Sequence, residues 1–498
     1  GYAGEKDMGE QFFRGAQKYG FDFNSFHFIL KNIGNFKTIA LGDYQVNFGQ
    51  GLTFGSGLAP RKSASVMNAR RNFETIRSYR SLNENEFLRG AAIAYQFKKM
   101  ELTGFFSYKG ISTNFRSSDT LSSTDEIFSA FQLSGYHRTP GEIADRNNVM
   151  QGIYGGHVKW FGKDHDLGFT AVHTFYDHSF EPGTKPYQLY NFHGTELTNF
   201  GFDFNFYLNN INFFGEISNS SNGAFAGIGG LVLPVHQTLD VMISYRNYAK
   251  DFQTTFNNAF GENADGRNEE GIYSAVIFKP GPYWQLNFYI DFYKSEWLRY
   301  LIDAPSHGND LLGEWQFNPS KDQRFYFRYK HETKMHNVIS SIDNSTSVQN
   351  STKENFRADA SYKLSQNFSA ETRMEIVQFH ENINGFKNGS LIFQDLIYNS
   401  ELKIFSLTGR IAVFNVDDYN ARVYATEADV LHSYSVPLYQ NSGVRFYLVT
   451  HVKLSKKLDA WIKYSQTTYN NVNTISSGLQ QINGNILSDL RVQLRVSF

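Results

Sequence analysis

The chain has 498 residues, a formal net charge of −1 and no cysteine, which excludes disulfides, thiolate zinc sites, iron–sulfur clusters and cysteine nucleophiles. Near-neutral charge also argues against a global field that would gather nucleic acid or acidic lipid. Aromatic residues make up 16% although the hydrophobic share is only 41%, so apolar side chains are dispersed singly rather than pooled in one core.

Period-two alternation runs from end to end, and helical periodicity is nearly missing. About 21 segments of this kind begin near residues 21, 37, 89, 101, 150, 167, 197, 211, 224, 240, 270, 284, 310, 323, 353, 368, 389, 405, 444, 459 and 486. Most are about 9–13 residues long, the span of a tilted strand crossing a bilayer. In FGFDFNFYL, Phe200, Phe202, Phe204, Phe206 and Leu208 face one way, and Gly201, Asp203, Asn205 and Tyr207 the other. RFYFRYKHE sets Phe325, Phe327 and Tyr329 against Arg324, Arg328 and Lys330, and VMISYRNY sets Val241, Ile243 and Tyr245 against Ser244 and Arg246. No run approaches the 18 or so consecutive apolar residues of a transmembrane helix. Gly1 opens without a charged and then apolar leader, so any signal peptide is expected to have been removed.

Connections alternate in length. Short ones occur at 32–36, 98–100, 162–166, 208–210, 281–283, 318–322 and 455–459; long ones at 53–88, 110–149, 177–196, 252–269, 301–309, 337–352, 415–443 and 470–485. The rhythm predicts an all-β fold, a large transmembrane antiparallel β-barrel with short periplasmic turns and long extracellular loops. A soluble β-sandwich would pack its apolar faces on each other and show less regular strand lengths, and no blade repeat of a propeller is present. Residues 1–20 are expected to be an extracellular loop segment and 21–498 the barrel. If the last strand runs inward, 21 strands put Gly1 outside the cell, whereas such barrels are even-stranded. Either upstream sequence is missing and the complete barrel has at least 22 strands, or the count is off by one. A barrel of that size has a wide lumen, usually plugged.

Around the start of the insert 53–88, Gly49, Gly51, Gly55 and Gly57 mark backbone bends at a barrel rim rather than a dinucleotide loop. Arg61, Lys62, Arg70, Arg71, Arg77 and Arg80 follow, opposed up to residue 82 only by Glu74. They are candidate contacts to lipopolysaccharide phosphates or another polyanion, or partners of lumen carboxylates in an inward-folded plug, the reading favoured here. HETKMH at 331–336 fails the zinc-protease spacing. The acidic stretches NVDDYN (415–420) and NADGRNEEG (263–271) match no twelve-residue calcium loop, so no cofactor or metal is expected, with loop-bound calcium the remaining possibility. His157 and His173 fall on neighbouring strands near Asp177, but no nucleophile accompanies them, and catalytic residues are not expected. Tyr108, Phe161, Tyr176 and Phe446 fit interfacial girdles. In the loop 415–443, Tyr419, Tyr424, Tyr434, Val436, Pro437 and Tyr439 make a candidate partner-docking surface. At the end, Leu490, Val492, Leu494, Val496 and Phe498 face lipid while Arg491, Gln493 and Arg495 face the lumen, a pattern that resembles the C-terminal signal read by the barrel-assembly machinery.

AGEKDMGE (3–10), LGDYQVNFGQGL (41–52), NENEFLRG (83–90) and FNVDDYNARVYATEADVLHSYSVPLY (414–439) resemble the large Bacteroidota outer-membrane barrels known as helix-hairpin-helix domain-containing proteins. The resemblance covers the first 90 and last 100 residues and is thin between about 105 and 390. It implies the fold and an outer-membrane location but no catalytic residues; the family's upstream helix-hairpin-helix segment, its one hint of DNA binding, is absent from this sequence. The expectation is a gated or plugged transport or translocation component, not an enzyme. The alternative is a structural or assembly subunit of a larger outer-membrane complex, with an outer-membrane enzyme a remote third. Expected partners are outer-membrane lipid and lipopolysaccharide, the barrel-assembly machinery during biogenesis, and other outer-membrane or periplasmic proteins, with no nucleic acid.

Overall fold

A backbone whose side chains alternate in polarity is stable only as paired strands that send odd and even residues to opposite faces. The computed structural model, which describes residues 1–117, 126–339, 346–381, 385–402, 404–431 and 433–497, is built this way. Its long strands are Phe23–Ile33, Phe36–Val46, Leu88–Phe97, Met100–Ile111, Val149–Phe161, His165–Phe180, Gly194–Leu208, Ile211–Ser220, Phe225–His236, Leu239–Tyr248, Glu269–Gly281, Trp284–Ser295, Ser306–Ser320, Gln323–Ile339, Thr346–Lys363, Phe368–Glu381, Gly385–Asn399, Phe405–Val416, Ser442–Lys453, Leu458–Tyr469 and Ile486–Val496. Within each unit they run as antiparallel neighbours in long ladders, such as Asn199↔Ser220 through Leu208↔Ile211. No helix among the described residues is long and apolar enough to cross a membrane. One five-residue helix, Pro140–Ala144, starts on a capping box between Thr139 and Glu142, which satisfies its first free N–H groups.

The chain divides into two compact units, Gly1–Ala275 with Asp291–His307, and Val276–Ile290 with Gly308–Phe498. In each, the usual burial rule is inverted. The first unit exposes Phe200, Phe202, Ile217, Ile243 and Tyr245, while Asp203, Glu216, Ser218, Ser244 and Arg246 on the same strands are buried. The second exposes Val444, Phe446, Leu448, Ile462, Val492 and Leu494 and buries Asp395, Arg410, Asp459 and Lys463. Apolar side chains out and charged side chains in is the pattern of a large antiparallel transmembrane β-barrel wall.

Most strand starts follow the sequence periodicity, but several stretches expected as loop carry strand, among them Thr113–Ser117 and Glu126–Phe131 inside 110–149. Residues 337–352, expected as loop, are strand at both ends, because Gln323–Ile339 and Thr346–Lys363 pair as far as Ile339↔Thr346. Residues 1–20, expected as loop, carry a short strand, Tyr2–Glu5, whose Tyr2 lies opposite Phe26 and whose Glu5 lies opposite Phe23. Inside the long insert, Ile76–Ser78 adds three residues of ladder beside Tyr44–Val46.

Candidate functional site

Each unit folds one long connection onto its charged inner face. In the first unit the connection follows Phe36–Val46. Strand alternation turns Glu216 of Ile211–Ser220 inward, where it is 1% exposed. Its carboxylate accepts the backbone N–H groups of Gln50 (2.6 Å), Leu52 (3.1 Å) and Thr53 (2.7 Å) and the Thr53 hydroxyl (2.5 Å). A buried carboxylate is stable only with such donors, and here backbone N–H groups supply three of them. The bend needs glycine: Gly49 has φ +51°, and a Cβ there would stand 2.7 Å from Glu216 Oε2 and 2.9 Å from Asp203 Cβ.

The connection 249–268 locks the turn from the other side. Asn258 N–H donates to the Gly51 carbonyl (2.8 Å), Thr254 Oγ1 to the Thr53 carbonyl (3.1 Å), and Asn257 Nδ2 to the Leu52 carbonyl (3.0 Å). A cavity of about 220 Å³ remains between these segments, edged by Leu58, Arg61, Arg71, Phe256, Asn258 and Asn263.

The basic residues divide. Lys62 is enclosed, its Nζ 2.7 Å from Glu262 and 2.6 Å from Asp291. Arg71 is buried, donating to the carbonyls of Asn258 (3.0 Å), Pro60 (2.6 Å) and Asn68 (3.0 Å). Arg70 is half-buried and reaches Asn205 (3.0 Å). These three thus lie against inward-facing side chains and backbone carbonyls. Arg61, Arg77 and Arg80 are exposed, with Arg61 at the cavity edge donating to the Glu262 carbonyl (3.4 Å), Arg77 3.9 Å from Glu74, and Arg80 bonded to Ser78.

In the second unit the infolded segment belongs to the loop 415–443, and its charge is opposite. Glu427 Oε1 and Oε2 receive Arg445 at 2.6 and 2.9 Å. Asp429 Oδ2 receives Lys463 (3.0 Å) and Arg491 (2.8 Å). Arg410 holds Asp395 through two bonds and donates to the Thr426 carbonyl (2.8 Å). The expected surface patch is therefore smaller than the sequence suggests. Tyr419, Tyr424, Tyr434 and Val436 are exposed and Pro437 half-buried, but Tyr439 is 1% exposed. It stacks edge-on against Phe414 and donates its hydroxyl to Glu427 (3.2 Å). What remains outside is an aromatic clamp, with Arg422 4.0 Å above the Tyr419 ring and 5.7 Å from that of Tyr424.

Leu490, Val492, Leu494 and Val496 are each more than half exposed, and Phe498 lies outside the described residues. His157 and His173 do not meet: register places His157 opposite Thr170 and His173 opposite Tyr154. His157 points inward to Asp203 (2.9 Å), and His173 bonds Thr198. Tyr108 and Phe446 are exposed as a girdle requires, whereas Tyr176 is buried against Phe128. HETKMH lies on the strand Gln323–Ile339, which separates its residues as expected. Of NADGRNEEG, Glu269 turns inward to Arg246 (2.5 Å). The anchors Glu216, Glu427 and Asp429 escaped the sequence reading, although inward parity on Ile211–Ser220 could have flagged Glu216.

No protein-family model matches the chain, and no curated protein matches it by sequence. Similar solved structures include FpvA of P. aeruginosa bound to heterologous pyoverdines, at 9% identity and TM-score 0.45, covering 83% of this chain and 64% of that one. The siderophore receptor PirA of Acinetobacter baumannii is similar at 8% identity and TM-score 0.45, covering 83% and 71%. The FrpB iron transporter of Neisseria meningitidis is similar at 11% identity and TM-score 0.44, covering 95% and 78%. The chain thus spans less than two thirds of the length of the FpvA chain.

Proposed function

We propose that the chain is the wall and the plug of a transport or translocation barrel in the bacterial outer membrane, with its long connections outside the cell. The observation that carries this reading is the Glu216 carboxylate holding the Gln50–Thr53 backbone against the inner face. A segment that served only as a surface loop has no use for a buried anion that collects its N–H groups. A gate does, since the anchor keeps it closed at rest and can be exchanged for another ligand. Outward-facing apolar side chains such as Phe200, Phe202 and Ile243 support contact with outer-membrane lipid. The terminal strand Ile486–Val496 suits delivery by the barrel-assembly machinery, and exposed Arg61, Arg77 and Arg80 suit lipopolysaccharide phosphates. The reading involves no nucleic acid, no cofactor and no catalysis, and the Bacteroidota helix-hairpin-helix barrels are the proposed kin.

Planar-bilayer conductance tests it. The purified chain is expected to be nearly silent and to conduct after deletion of residues 58–82 or after Glu216→Ala, which disturbs less. Two variants that fold and stay silent would sink the plug reading.

The clamp of Tyr419, Arg422 and Tyr424, with Tyr434 exposed nearby in sequence, favours a second reading, a docking subunit of a larger outer-membrane complex. Native pull-down from mild detergent discriminates: a companion protein lost on Tyr419→Ala with Tyr424→Ala supports docking, and recovery of the barrel alone argues against it.

A further inference from the structure

Far from the Glu216 anchor in sequence, the first unit brings together three side chains that neither loop uses. Glu10 and Asp22 flank the segment leading into Phe23–Ile33, and His137 stands just before the helix Pro140–Ala144. Glu10 is 7% exposed, Asp22 6% and His137 4%. One donor atom from each lies within 4.8 Å of the others. His137 Nδ1 is 3.0 Å from Asp22 Oδ2 and 3.9 Å from Glu10 Oε1. Donors around a first-row divalent ion at about 2.1 Å stand roughly 3.0–3.4 Å apart, so these separations bracket what coordination needs.

The surroundings hold the three groups in place. Glu10 Oε1 accepts the His137 N–H (2.7 Å) and Oε2 the Asp7 N–H (2.9 Å). Ser112 Oγ sits 3.5 Å from His137 Nε2, which leaves Nδ1 directed at the carboxylates, and Arg146 grips the Asp22 backbone carbonyl. One atom is left over. Asp22 Oδ1 is buried and has no hydrogen-bond partner among the described residues. A buried carboxylate oxygen without a donor is costly and is explained by an ion or a proton.

We infer that Glu10, Asp22 and His137 form a divalent transition-metal site that ties the segment 6–22 to the segment 132–148. Two carboxylates and one imidazole suit zinc or manganese, and leave a coordination position for water. The competing occupant is a proton shared by the two carboxyls.

The full chain, untagged and in detergent after chelator treatment, is titrated calorimetrically with zinc sulfate, and its bound zinc is measured after gel filtration. One retained zinc per chain is expected, with affinity falling at least tenfold in Asp22→Asn and in His137→Gln. Asp22→Asn keeps the side-chain shape, and circular dichroism checks the fold of each variant. Should the His137 variant fail to fold, Glu10→Gln replaces it. A wild-type chain that retains no zinc, or folded variants that bind as tightly as wild type, would overturn the site and leave the shared proton.

Discussion

Glu84 shows how a single titratable group can sense the packing around it. It lies in the connection before Leu88–Phe97, outside the spanning strands, and burial, then the nearby Asp22 and Glu5 charges, push its carboxyl up to about 8. The sign follows from proton counting. Between its ordinary value near 4.5 and about 8 the folded chain holds the proton more tightly than the unfolded one. Stability contributed by this group is therefore full below pH 4.5 and is lost as pH rises through 8. Amide exchange in segments 79–87 and 132–148, corrected for intrinsic rates, is expected to show weaker protection at pH 9 than at pH 5. Glu84→Gln should flatten that difference; an unchanged pH response in the variant would place the cause elsewhere.

At the scale of elements, the loop 415–443 carries the sharpest expectation. Burial alone would raise the Glu427 carboxyl, but the hydrogen bond from Arg445 and the charges of Arg445 and Lys463 outweigh it, so its value is lowered. Replacing Glu427 and Asp429 by their amides leaves Arg445, Lys463 and Arg491 facing neutral groups inside. Breaking one partner of a buried ion pair costs about 3–5 kcal/mol. The double variant Glu427→Gln, Asp429→Asn should release the loop while the strands stay paired, read as new tryptic cleavage at Arg422 with heat-resistant β-signal unchanged. Intact protection would mean that Tyr439 on Phe414 holds the loop without its charges.

This loop also shows what a sequence can and cannot convey. Strand positions were legible because alternation is local: Ile211–Ser220, Trp284–Ser295, Gln323–Ile339, Phe368–Glu381, Phe405–Val416 and Ile486–Val496 all begin where periodicity starts. The destination of a connection is not local. Tyr434 and Tyr439 lie five residues apart in similar company, yet one is 79% exposed and the other 1%. What separates them is Phe414 and Glu427, contacts that no spacing rule reveals. The same holds for Lys62 and Arg61, adjacent in sequence, of which only Lys62 meets buried carboxylates. Parity errors have the same root, since Tyr176 is aromatic, sits on a spanning strand and nevertheless faces Phe128 inside.

For the whole molecule, the question is which solvent each face of the sheet meets. Ile243 and Ser244 are chain neighbours in the middle of Leu239–Tyr248, the first 46% exposed and the second 3%. If the outer face meets water, Ile243→Arg replaces an awkward apolar group by a soluble one and should be neutral or stabilising. If it meets hydrocarbon, the same change costs about 2–4 kcal/mol near the bilayer midplane, less towards the interfaces. Folding into lipid vesicles, followed by denaturant titration, separates these outcomes. Ile243→Arg should lose about that amount. Asp240→Arg, near the short-turn end of the same strand, should lose much less because an interfacial charge stays hydrated. The ordering of the two variants matters more than either value, because a general folding defect would not depend on depth. Equal stability of Ile243→Arg and wild type in vesicles would contradict the lipid-facing assignment, and with it the membrane reading of every exposed ring on that face.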